Sequence, residues 1–425
     1  MPATATAPRR APLPLRRPRR PRRPPAALAV RLACSLTLVL LVAGAAPRPA
    51  RAAPLLAGLH VSGNQLRDGA DEPVRLLGVN RSGSEYACVQ GRGIFDGEVD
   101  EGAIRAIVAW QANVVRVPLN EDCWLGINGV PAAWSGEVYQ AAIRDYVDRL
   151  NAAGLAVILD LHWTAPGTQQ ATGQRPMPDR DHAPTFWAQV ASAYKGDSSV
   201  LFDLFGEPYP DDNRDTPAAW ACWRDGGACP GLGYTAAGMQ ELLQAVRDAG
   251  APNVVLLAGV GYGNPLSRWL TYAPSDPAGN LGVAWHSYNF SWCHDPGCWN
   301  EKVAPVAAQV PLVAVEIGED DCGHGYIDPL MAWLDARGAG YLAWAWNQWD
   351  CARGPALIAG AGHTPTQSYG QAYHDHLAAL AAARTCGGGP CLRPPGMTLG
   401  QLLKSVRHLD DRWRDEPAGV GTGDR

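Results

Sequence analysis

Short apolar runs recur along the chain, separated by polar turns and by longer stretches with helical periodicity. Eight of these runs predict strands, and they are apolar on both faces. Strands of this kind that alternate with helices favour a parallel sheet covered by helices. Eight such units in about 330 residues fit a closed (β/α)8 TIM barrel better than an open doubly wound sheet. The predicted strands are 74–80, 113–119, 156–163, 200–207, 253–260, 282–288, 312–316 and 341–346.

Residues 58–80 read GLHVSGNQLRDGADEPVRLLGVN. Two alternating runs flank the turn sequence Gly-Ala-Asp-Glu-Pro, which predicts an N-terminal β-hairpin that leads into the first barrel strand. Helical periodicity predicts helices over 101–111, 135–153 and 235–249 and a short one over 267–272. Gly154 and Gly250 follow two of them, where a left-handed cap is natural.

The two ends of the chain differ from its middle. Nine arginines lie in the first thirty-one residues, an apolar stretch follows over 32–46, and Ala50-Arg51-Ala52 comes next. This order is typical of a secretory signal cleaved near Ala52, and the apolar stretch is too short to span a bilayer. A basic disordered tail before a core helix is the alternative. We therefore expect a secreted protein without membrane association after cleavage, with a signal region over 1–52, a barrel over 53–391 and a peripheral or disordered tail over 392–425.

Charge and cysteine content narrow the possible functions. The net charge is -5 although arginines crowd the start, so the remainder is acidic, which argues against a nucleic-acid partner. Ten of the eleven cysteines remain after Cys34 is removed with the signal, and this even number indicates loops closed by disulfides in an oxidising compartment. No cysteine and histidine spacing typical of zinc occurs, and we expect neither a metal nor a cofactor. The cysteines close in sequence are 222 with 229, 293 with 298 and 386 with 391, which leaves 88 with 123 and 322 with 351 by elimination.

Polar residues collect at the carboxyl ends of the predicted strands. In (β/α)8 barrels chemistry takes place at this end, because the loops vary while the barrel stays rigid. The residues placed there are Asn80, Arg116, Asn120, His162, Trp163, Glu207, His286, Tyr288, Glu316, Trp346 and Asn347.

Two of these residues are glutamates on strands that lie across the barrel mouth from each other. Glu207 and Glu316 suit a pair that flanks a glycosidic bond, one donating a proton to the leaving oxygen and the other attacking the sugar. Their environments must then differ. The alternative is structural: each glutamate ends a strand or pairs with a surface arginine. We apply this structural interpretation to Glu121 and Glu319, which lie past their strands in acidic loops where the spacing offers no partner.

Taken together, several short motifs resemble a known family. The chain is similar over residues 58–382 to glycoside hydrolase family 5, the cellulase-type members of the clan of retaining (β/α)8 glycosidases. Singly the motifs are weak, but their order and spacing are specific. They are the hairpin-to-strand sequence above, Arg-Val-Pro at Arg116, Asp-Leu-His-Trp ending at Trp163, Gly-Glu-Pro at Glu207, His-Ser-Tyr at His286, Glu-Ile-Gly at Glu316 and Ala-Trp at Trp346.

The resemblance implies roles for these residues. Glu207 would be the general acid/base, and Glu316 the nucleophile that forms a covalent glycosyl-enzyme, with the carboxyl groups about 5 Å apart. Arg116 and Tyr288 would hold the nucleophile ionised. The remaining motif residues would contact the substrate: His162 and His286 the sugar or the acid/base, and Trp346 the sugar face at the cleavage point.

One position departs from the family pattern. The family usually has asparagine before the acid/base, where it hydrogen-bonds the sugar 2-hydroxyl; here the residue is Gly206. Either Asn120 or Asn80 replaces it, or the substrate differs at C2, or the barrel binds sugar with little hydrolysis. The first two alternatives predict that Gly206→Asn raises activity or alters the preferred sugar.

The number and placement of the tryptophans support a saccharide ligand. The chain has sixteen tryptophans, many at or beyond strand ends, where flat rings stack on sugar faces. Strand alternation predicts that Trp285 and Trp344 pack outward. We therefore expect a secreted, monomeric retaining glycosidase acting on a β-linked polysaccharide or oligosaccharide, with β-glucan favoured. The alternatives are the same chemistry on β-mannan, another hemicellulose or a glycoside, and a non-catalytic carbohydrate-binding barrel.

Overall fold

The computed structural model describes residues 56–349 and 354–385. Eight strands form a closed barrel in which each strand pairs with the next in chain order and the last pairs with the first, which confirms the predicted (β/α)8 fold. Three strands end earlier than predicted, β4 at Asp203, β5 at Ala258 and β8 at Ala343, so Glu207 and Trp346 lie in the loops that follow β4 and β8. The barrel strands are β1 Leu77–Asn80, β2 Val114–Asn120, β3 Ala156–Trp163, β4 Val200–Asp203, β5 Val255–Ala258, β6 Leu281–Tyr288, β7 Leu312–Gly318 and β8 Gly340–Ala343.

Helices surround the barrel. The Asp100 side chain caps the first of them by accepting a hydrogen bond from the backbone N–H of Ala103, and Gly154 and Gly250 have the left-handed backbone expected after two others. The helix predicted over 235–249 begins only at Met239, because Thr235–Ala237 pairs with Gly226–Ala228 as a short sheet. The helices are Glu101–Ala109, Glu121–Leu125, Glu137–Ala152, Ala183–Tyr194, Pro210–Asn213, Pro217–Asp225, Met239–Asp248, Trp269–Tyr272, Pro296–Cys298, Ala304–Ala307, Ile327–Asp335 and Tyr369–Thr385, with single turns at Ala132–Trp134 and Trp299–Val303.

A small antiparallel sheet closes the amino-terminal end of the barrel. It contains His60–Ser62, Gln65–Arg67 and Pro73–Val74, so the predicted hairpin is confirmed and gains a third strand. Leu66 of this sheet and Leu59, which directly precedes it, pack into an apolar cluster made of residues inside the lower barrel. The barrel interior is therefore filled at this end and opens only at the other.

Side chains alternate along each barrel strand between the interior and the helices. On β2, Val114 belongs to the interior cluster and Val115 to the outer core, so the next inward residue is Arg116. On β3 the same alternation turns Ile158 inward and then Asp160. The lower interior is thus apolar, and a layer of fully buried charged side chains lies directly above it.

Three disulfides are present in the described part of the chain: Cys88–Cys123, Cys222–Cys229 and Cys293–Cys298. These match the predicted pairs. Cys322 is also disulfide-bonded, while the other predicted partners and pairs, at positions 351, 386 and 391, lie outside the described residues. The expected signal region over 1–52 and the tail over 392–425 lie outside them too. Among the described helices, none has the length and apolarity that a bilayer crossing requires.

Candidate active site

The two predicted glutamates meet at the open end of the barrel. Glu316 lies on β7 and Glu207 in the loop after β4. One oxygen of each carboxylate lies within 4.8 Å of the other and of a ring nitrogen of His286. Glu316 is almost fully buried, whereas the Glu207 side chain keeps 15 % of its surface exposed. The two acids therefore sit at one point in different environments.

Two donors hold the Glu316 carboxylate. Arg116 Nη1 donates to Oε1 at 2.6 Å, and the Tyr288 hydroxyl donates to Oε2 at 2.7 Å. Burial alone would raise the pKa of Glu316, but the positive charges of His286 and Arg116 outweigh it and hold this pKa below its ordinary value. Burial and the neighbouring carboxylate raise the pKa of Tyr288, so the phenol stays a hydrogen-bond donor.

Arg116 is itself fixed by a ring of acceptors. Its guanidinium donates to Asn80 Oδ1 at 3.0 Å and to Asp203 Oδ2 at 3.0 Å, and Nη2 lies 2.9 Å from Asp160 Oδ2. Burial raises the pKa of Asp203, an effect that Arg116 only partly opposes. The guanidinium therefore has no freedom to swing away from Glu316.

Glu207 is contacted from two sides. His286 Nδ1 lies 3.1 Å from Glu207 Oε1, a hydrogen-bond contact, and 3.4 Å from Glu316 Oε2, so the imidazole sits between the two carboxylates. Burial lowers the pKa of His286, but the adjacent carboxylates raise it above its ordinary value. On the other side the Gln174 amide donates to Glu207 Oε2. Glutamate, histidine and glutamate also have the composition of a metal site, but here Arg116 and His286 already supply the positive charge.

His162 forms a buried pair with Asp160. The two groups are 2.7 Å apart at Nδ1 and Oδ2, and the ring of His162 stacks on Trp344 with centroids 5.7 Å apart. Burial lowers the pKa of His162, but the Asp160 carboxylate more than compensates and raises it to about 9. A cationic imidazole therefore faces the pocket beside the two glutamates.

Gly206 faces this charged layer. A β-carbon built there would lie 2.9 Å from Arg116 Nη2, 3.1 Å from Asp160 Oδ1 and 3.2 Å from His162 Nδ1. Polar side chains thus occupy the space that a side chain at 206 would need. The expectation that Gly206→Asn raises activity does not fit this geometry, because the new side chain would displace the arginine that holds the nucleophile.

Neither predicted substitute for the missing asparagine reaches the pocket. The Asn80 amide donates to the Val315 carbonyl at 2.8 Å and its oxygen accepts from Arg116, so it supports the ion cluster. Asn120 caps the helix Glu121–Leu125: its oxygen accepts from the backbone of Cys123 and its amide donates to two carbonyls. Because both amide groups are already satisfied within the protein, the geometry does not support a direct sugar contact by either side chain.

The tryptophan predicted under the sugar is also corrected. Trp346 is 2 % exposed and packs edge-on against Trp110, away from the glutamates. Trp344 lines the pocket instead, although alternation predicted that it points outward. The reason is that β8 ends at Ala343, so strand alternation does not apply beyond it. Trp285 does pack outward, against Trp299 and Trp333 of the outer core, as predicted.

The pocket around the glutamates has a volume of about 480 Å³. Loops after β5 and β6 supply exposed aromatic rings on one side of it: Tyr262, Phe290 and Trp292, with 39 %, 63 % and 51 % of their surface accessible. Across the mouth, Trp163 does not line the pocket but lies 6.1 Å from Tyr86, ring to ring. Aromatic surfaces therefore flank the paired acids on both sides.

Glu121 and Glu319 stay outside the pocket, as their structural interpretation requires, but both have partners. Glu121 accepts from the Thr164 hydroxyl at 2.9 Å, and the same hydroxyl contacts Asp179. Glu319 accepts from the backbone N–H of Tyr326 at 2.6 Å. These acids hold loops in place.

Sequence reasoning missed four residues of the site: Asp160, Gln174, Asp203 and Trp344. Alternation on β3 could have found Asp160, because it shares a face with His162. On the longer strand predicted over 200–207, the same parity relates Asp203 to Glu207. No sequence signal indicates Gln174, which lies in an irregular loop.

Comparisons with known proteins identify the family of the chain. The model of the cellulase family, glycosyl hydrolase family 5, matches residues 70–350. Endoglucanase E-5 of Thermobifida fusca is 24 % identical over 319 residues, which are 71 % of this chain and 57 % of that protein. A mannan endo-1,4-beta-mannosidase of Streptomyces lividans is 24 % identical over 321 residues, 73 % of this chain and 71 % of that protein. The chain thus spans less than two thirds of the length of some curated relatives.

Solved structures show the same fold. A beta-glucanase from Saccharophagus degradans superimposes with a TM-score of 0.60 at 18 % identity, covering 76 % of this chain and 94 % of that one. The catalytic domain of a mannanase from Streptomyces sp. SirexAA-E gives a TM-score of 0.54 at 24 % identity, covering 74 % and 88 %. With the family model matching more than half of its length, the chain belongs to the cellulase family, glycosyl hydrolase family 5.

Proposed function

We propose that the protein hydrolyses β-glycosidic bonds of a polysaccharide by double displacement, with retention of configuration. The observation that supports this best is the meeting of Glu207 and Glu316, with carboxylate oxygens within 4.8 Å. A separation of about 5 Å lets one carboxylate attack the sugar directly, whereas an inverting enzyme needs about 6.5–9.5 Å to admit a water. The short separation therefore favours a covalent intermediate.

Each residue then has a defined task. The Glu316 carboxylate, ionised by its contacts with Arg116 and Tyr288, attacks the anomeric carbon while Glu207 gives a proton to the leaving oxygen. A water then attacks the same carbon, Glu207 takes its proton, and Glu316 leaves as a carboxylate. His286 bridges the two acids and keeps them in register through both steps. Trp344 provides the flat surface for the sugar ring.

The favoured substrate is a β-glucan cleaved within the chain, with β-mannan as the second candidate. Aromatic rings lie on both sides of the acids, so a glycan has surfaces to contact before and after the scissile bond. An endoglucanase and a mannan endo-1,4-beta-mannosidase are among the relatives named above. Glucose and mannose differ only at C2, and Gly206 offers no side chain there to discriminate between them.

The test is a product-release assay of the protein on β-glucan, mannan, xylan and aryl glycosides. Glu316→Gln should abolish turnover while sugar binding and folding persist. Glu207→Ala should slow hydrolysis most for substrates with poor leaving groups. Glu319→Gln is the matched control, because this acid accepts a hydrogen bond from the backbone of Tyr326 in its own loop and does not line the pocket. A 2-fluoro glycoside should label the peptide that contains Glu316. Absence of turnover in the parent protein with intact sugar binding would favour the non-catalytic barrel.

We also propose that the protein is secreted. The described disulfides and the arginine-rich, then apolar start of the sequence support export. Mass spectrometry of the protein recovered from culture medium should give a mature form that begins near residue 53. Retention of the full chain inside the cell would contradict this.

A further inference from the structure

Strand β6 is longer than its neighbour β5. The last residue pair between them is Ala258 with Ala284, yet β6 continues to Tyr288 and carries His286 beyond that point. On its other side β6 pairs with β7, where His286 lies opposite Glu316. The backbone N–H and carbonyl of His286 on the β5 side therefore need partners that strand pairing does not supply.

The loop after β5 supplies both partners. It contains three consecutive residues with left-handed backbone, Gly261, Tyr262 and Gly263. The carbonyl of Gly263 accepts from the His286 N–H at 3.1 Å, and the Asn264 side-chain amide donates to the His286 carbonyl at 2.9 Å. An asparagine amide has the donor and the acceptor of a peptide group, so Asn264 takes the place of the missing strand.

The same side chain also holds the loop after β6. Asn264 Oδ1 accepts from the backbone N–H of Cys293 at 2.6 Å, and its amide donates to the Cys293 carbonyl at 3.4 Å. Cys293 directly follows Trp292, which lines the pocket, and its disulfide with Cys298 closes the loop. Asn264 makes these contacts in the protein interior, with 2 % of its surface exposed. Loss of this side chain would therefore leave buried backbone groups of β6 and its loop unpaired.

Small movements of His286 matter because its ring lies between the two acids. A displacement of about 0.5 Å is enough to weaken contacts of 3.1 Å to Glu207 and 3.4 Å to Glu316. The loop that carries Glu207 is tied to the same segment, since the backbone N–H of Tyr262 donates to the Pro208 carbonyl at 3.1 Å. The charged groups that interact electrostatically with the His286 ring are Glu207, Glu316, Arg116 and Asp203.

We propose that Asn264 is a positioning residue of the candidate active site: its amide fixes the part of β6 that carries His286, and through it the distances from the imidazole to both glutamates. This inference rests on the proposed function, which assigns the two glutamates their catalytic tasks. Asn264 acts through His286, because its own amide nitrogen and oxygen are already engaged by backbone groups.

The test compares Asn264→Ala with Asn253→Ala. Asn253 is similarly buried, at 4 % exposure, and its amide also donates to backbone carbonyls, those of Asp197 and Val200 at 2.9 and 2.8 Å. It lies before β5, at the end of the barrel away from the glutamates. Both variants should therefore lose similar stability in urea denaturation, and only Asn264→Ala should alter catalysis. Asn264→Ser is the second variant, because its hydroxyl fills part of the space if alanine prevents folding.

The pH profile of kcat/KM distinguishes positioning from a purely structural role. Burial raises the pKa of Glu316, but the positive charges of His286 and Arg116 hold it below its ordinary value. An opposite charge within about 4–6 Å lowers a carboxyl pKa by about 1–3 units, so a displaced ring should move the acidic limb of the profile up by about 0.5–1 pH unit. At the pH optimum kcat/KM should fall about tenfold or more. An unmoved limb in both Asn264 variants, or the same shift in Asn253→Ala, would overturn the inference.

A further control separates the two regions that Asn264 holds. Cys293→Ser combined with Cys298→Ser opens the loop after β6 but leaves the His286 carbonyl bonded to Asn264. This double variant should raise KM, because Trp292 loses support, while the acidic limb stays in place. A limb shift equal to that of Asn264→Ala would assign the effect to loop opening and contradict the proposed role.

Nuclear magnetic resonance titration of the His286 ring needs no turnover. Burial lowers the pKa of His286, but the adjacent carboxylates raise it above its ordinary value. This pKa should therefore fall in Asn264→Ala and Asn264→Ser, and not in Asn253→Ala. An unchanged pKa in the Asn264 variants would refute the positioning role. If the parent protein hydrolyses no glycan, the proposed function fails, while this titration still decides whether Asn264 fixes the imidazole.

Discussion

Replacing Gly206 tests the charged layer under the candidate active site. The backbone of Gly206 lies outside the left-handed region, so alanine there would by itself stabilise the fold by about 0.4–1 kcal/mol through the unfolded chain. The added β-carbon, however, meets Arg116 Nη2 at 2.9 Å, and the guanidinium cannot retreat because Asp203, Asn80 and Glu316 hold it. Overpacking of this kind costs about 1–3 kcal/mol. We expect Gly206→Ala to lose about 1–2 kcal/mol of unfolding free energy on balance.

Gly206→Asn adds an amide to the same crowded space. It should lose at least as much stability, and kcat/KM should fall about tenfold or more, because moving Arg116 loosens the Glu316 carboxylate. Urea denaturation gives the stability and initial rates give kcat/KM. Gly196→Ala is the matched control, since its β-carbon meets nothing within 4 Å. Equal stability of the two alanine variants, or a gain of activity in Gly206→Asn, would refute the claim that side chains fill this space.

Three further predictions concern neighbouring groups. The pKa of His162 is raised to about 9, so its contribution to stability is complete below pH 6.5 and is lost as the pH rises through about 9. The free energy of unfolding should therefore fall by up to about 3 kcal/mol over this pH range. Asp160→Asn should make the free energy of unfolding depend less on pH over the same range. Gln174→Ala removes a hydrogen bond to Glu207 and should lower kcat/KM about tenfold for alkyl leaving groups, but not for a dinitrophenyl leaving group, which needs no proton; an equal loss for both would contradict a positioning role. Trp344→Ala should weaken the binding of every substrate, including the shortest aryl glycoside, and so raise KM. An unchanged KM would exclude Trp344 from the sugar-binding surface.

The sequence predicts the barrel well because its signals are local. Each apolar run supplies a buried strand, and parallel strands separated by helices leave few topologies to choose from. The opposed glutamates follow from that topology alone, because Glu316 lies on β7 and Glu207 just beyond β4. Arg116 follows as well, since it is an inward residue on a strand of known parity.

The errors concern groups whose contacts depend on distant parts of the chain. Asn80 and Asn120 lie at strand ends, as the residues that line the pocket do. Their amide groups, however, donate hydrogen bonds to backbone carbonyls from other parts of the fold. The orientations predicted for Trp344 and Trp346 are the reverse of those observed, because the end of β8 fixes the direction of both side chains and strand ends are poorly marked in sequence. At Gly206 the sequence reveals a missing side chain, but not the three polar groups that fill its place.

The small sheet that closes the amino-terminal end of the barrel also determines how the protein can be immobilised. Leu59 and Leu66 seal the end opposite the catalytic mouth, so the chain enters the fold on the far side from the substrate. Anchoring the protein to a resin or a carrier through a linker ahead of residue 56 therefore points the cleft outward toward an insoluble fibre. Truncating the chain beyond Leu59 would instead expose the apolar amino-terminal end of the barrel and admit water beneath the charged layer.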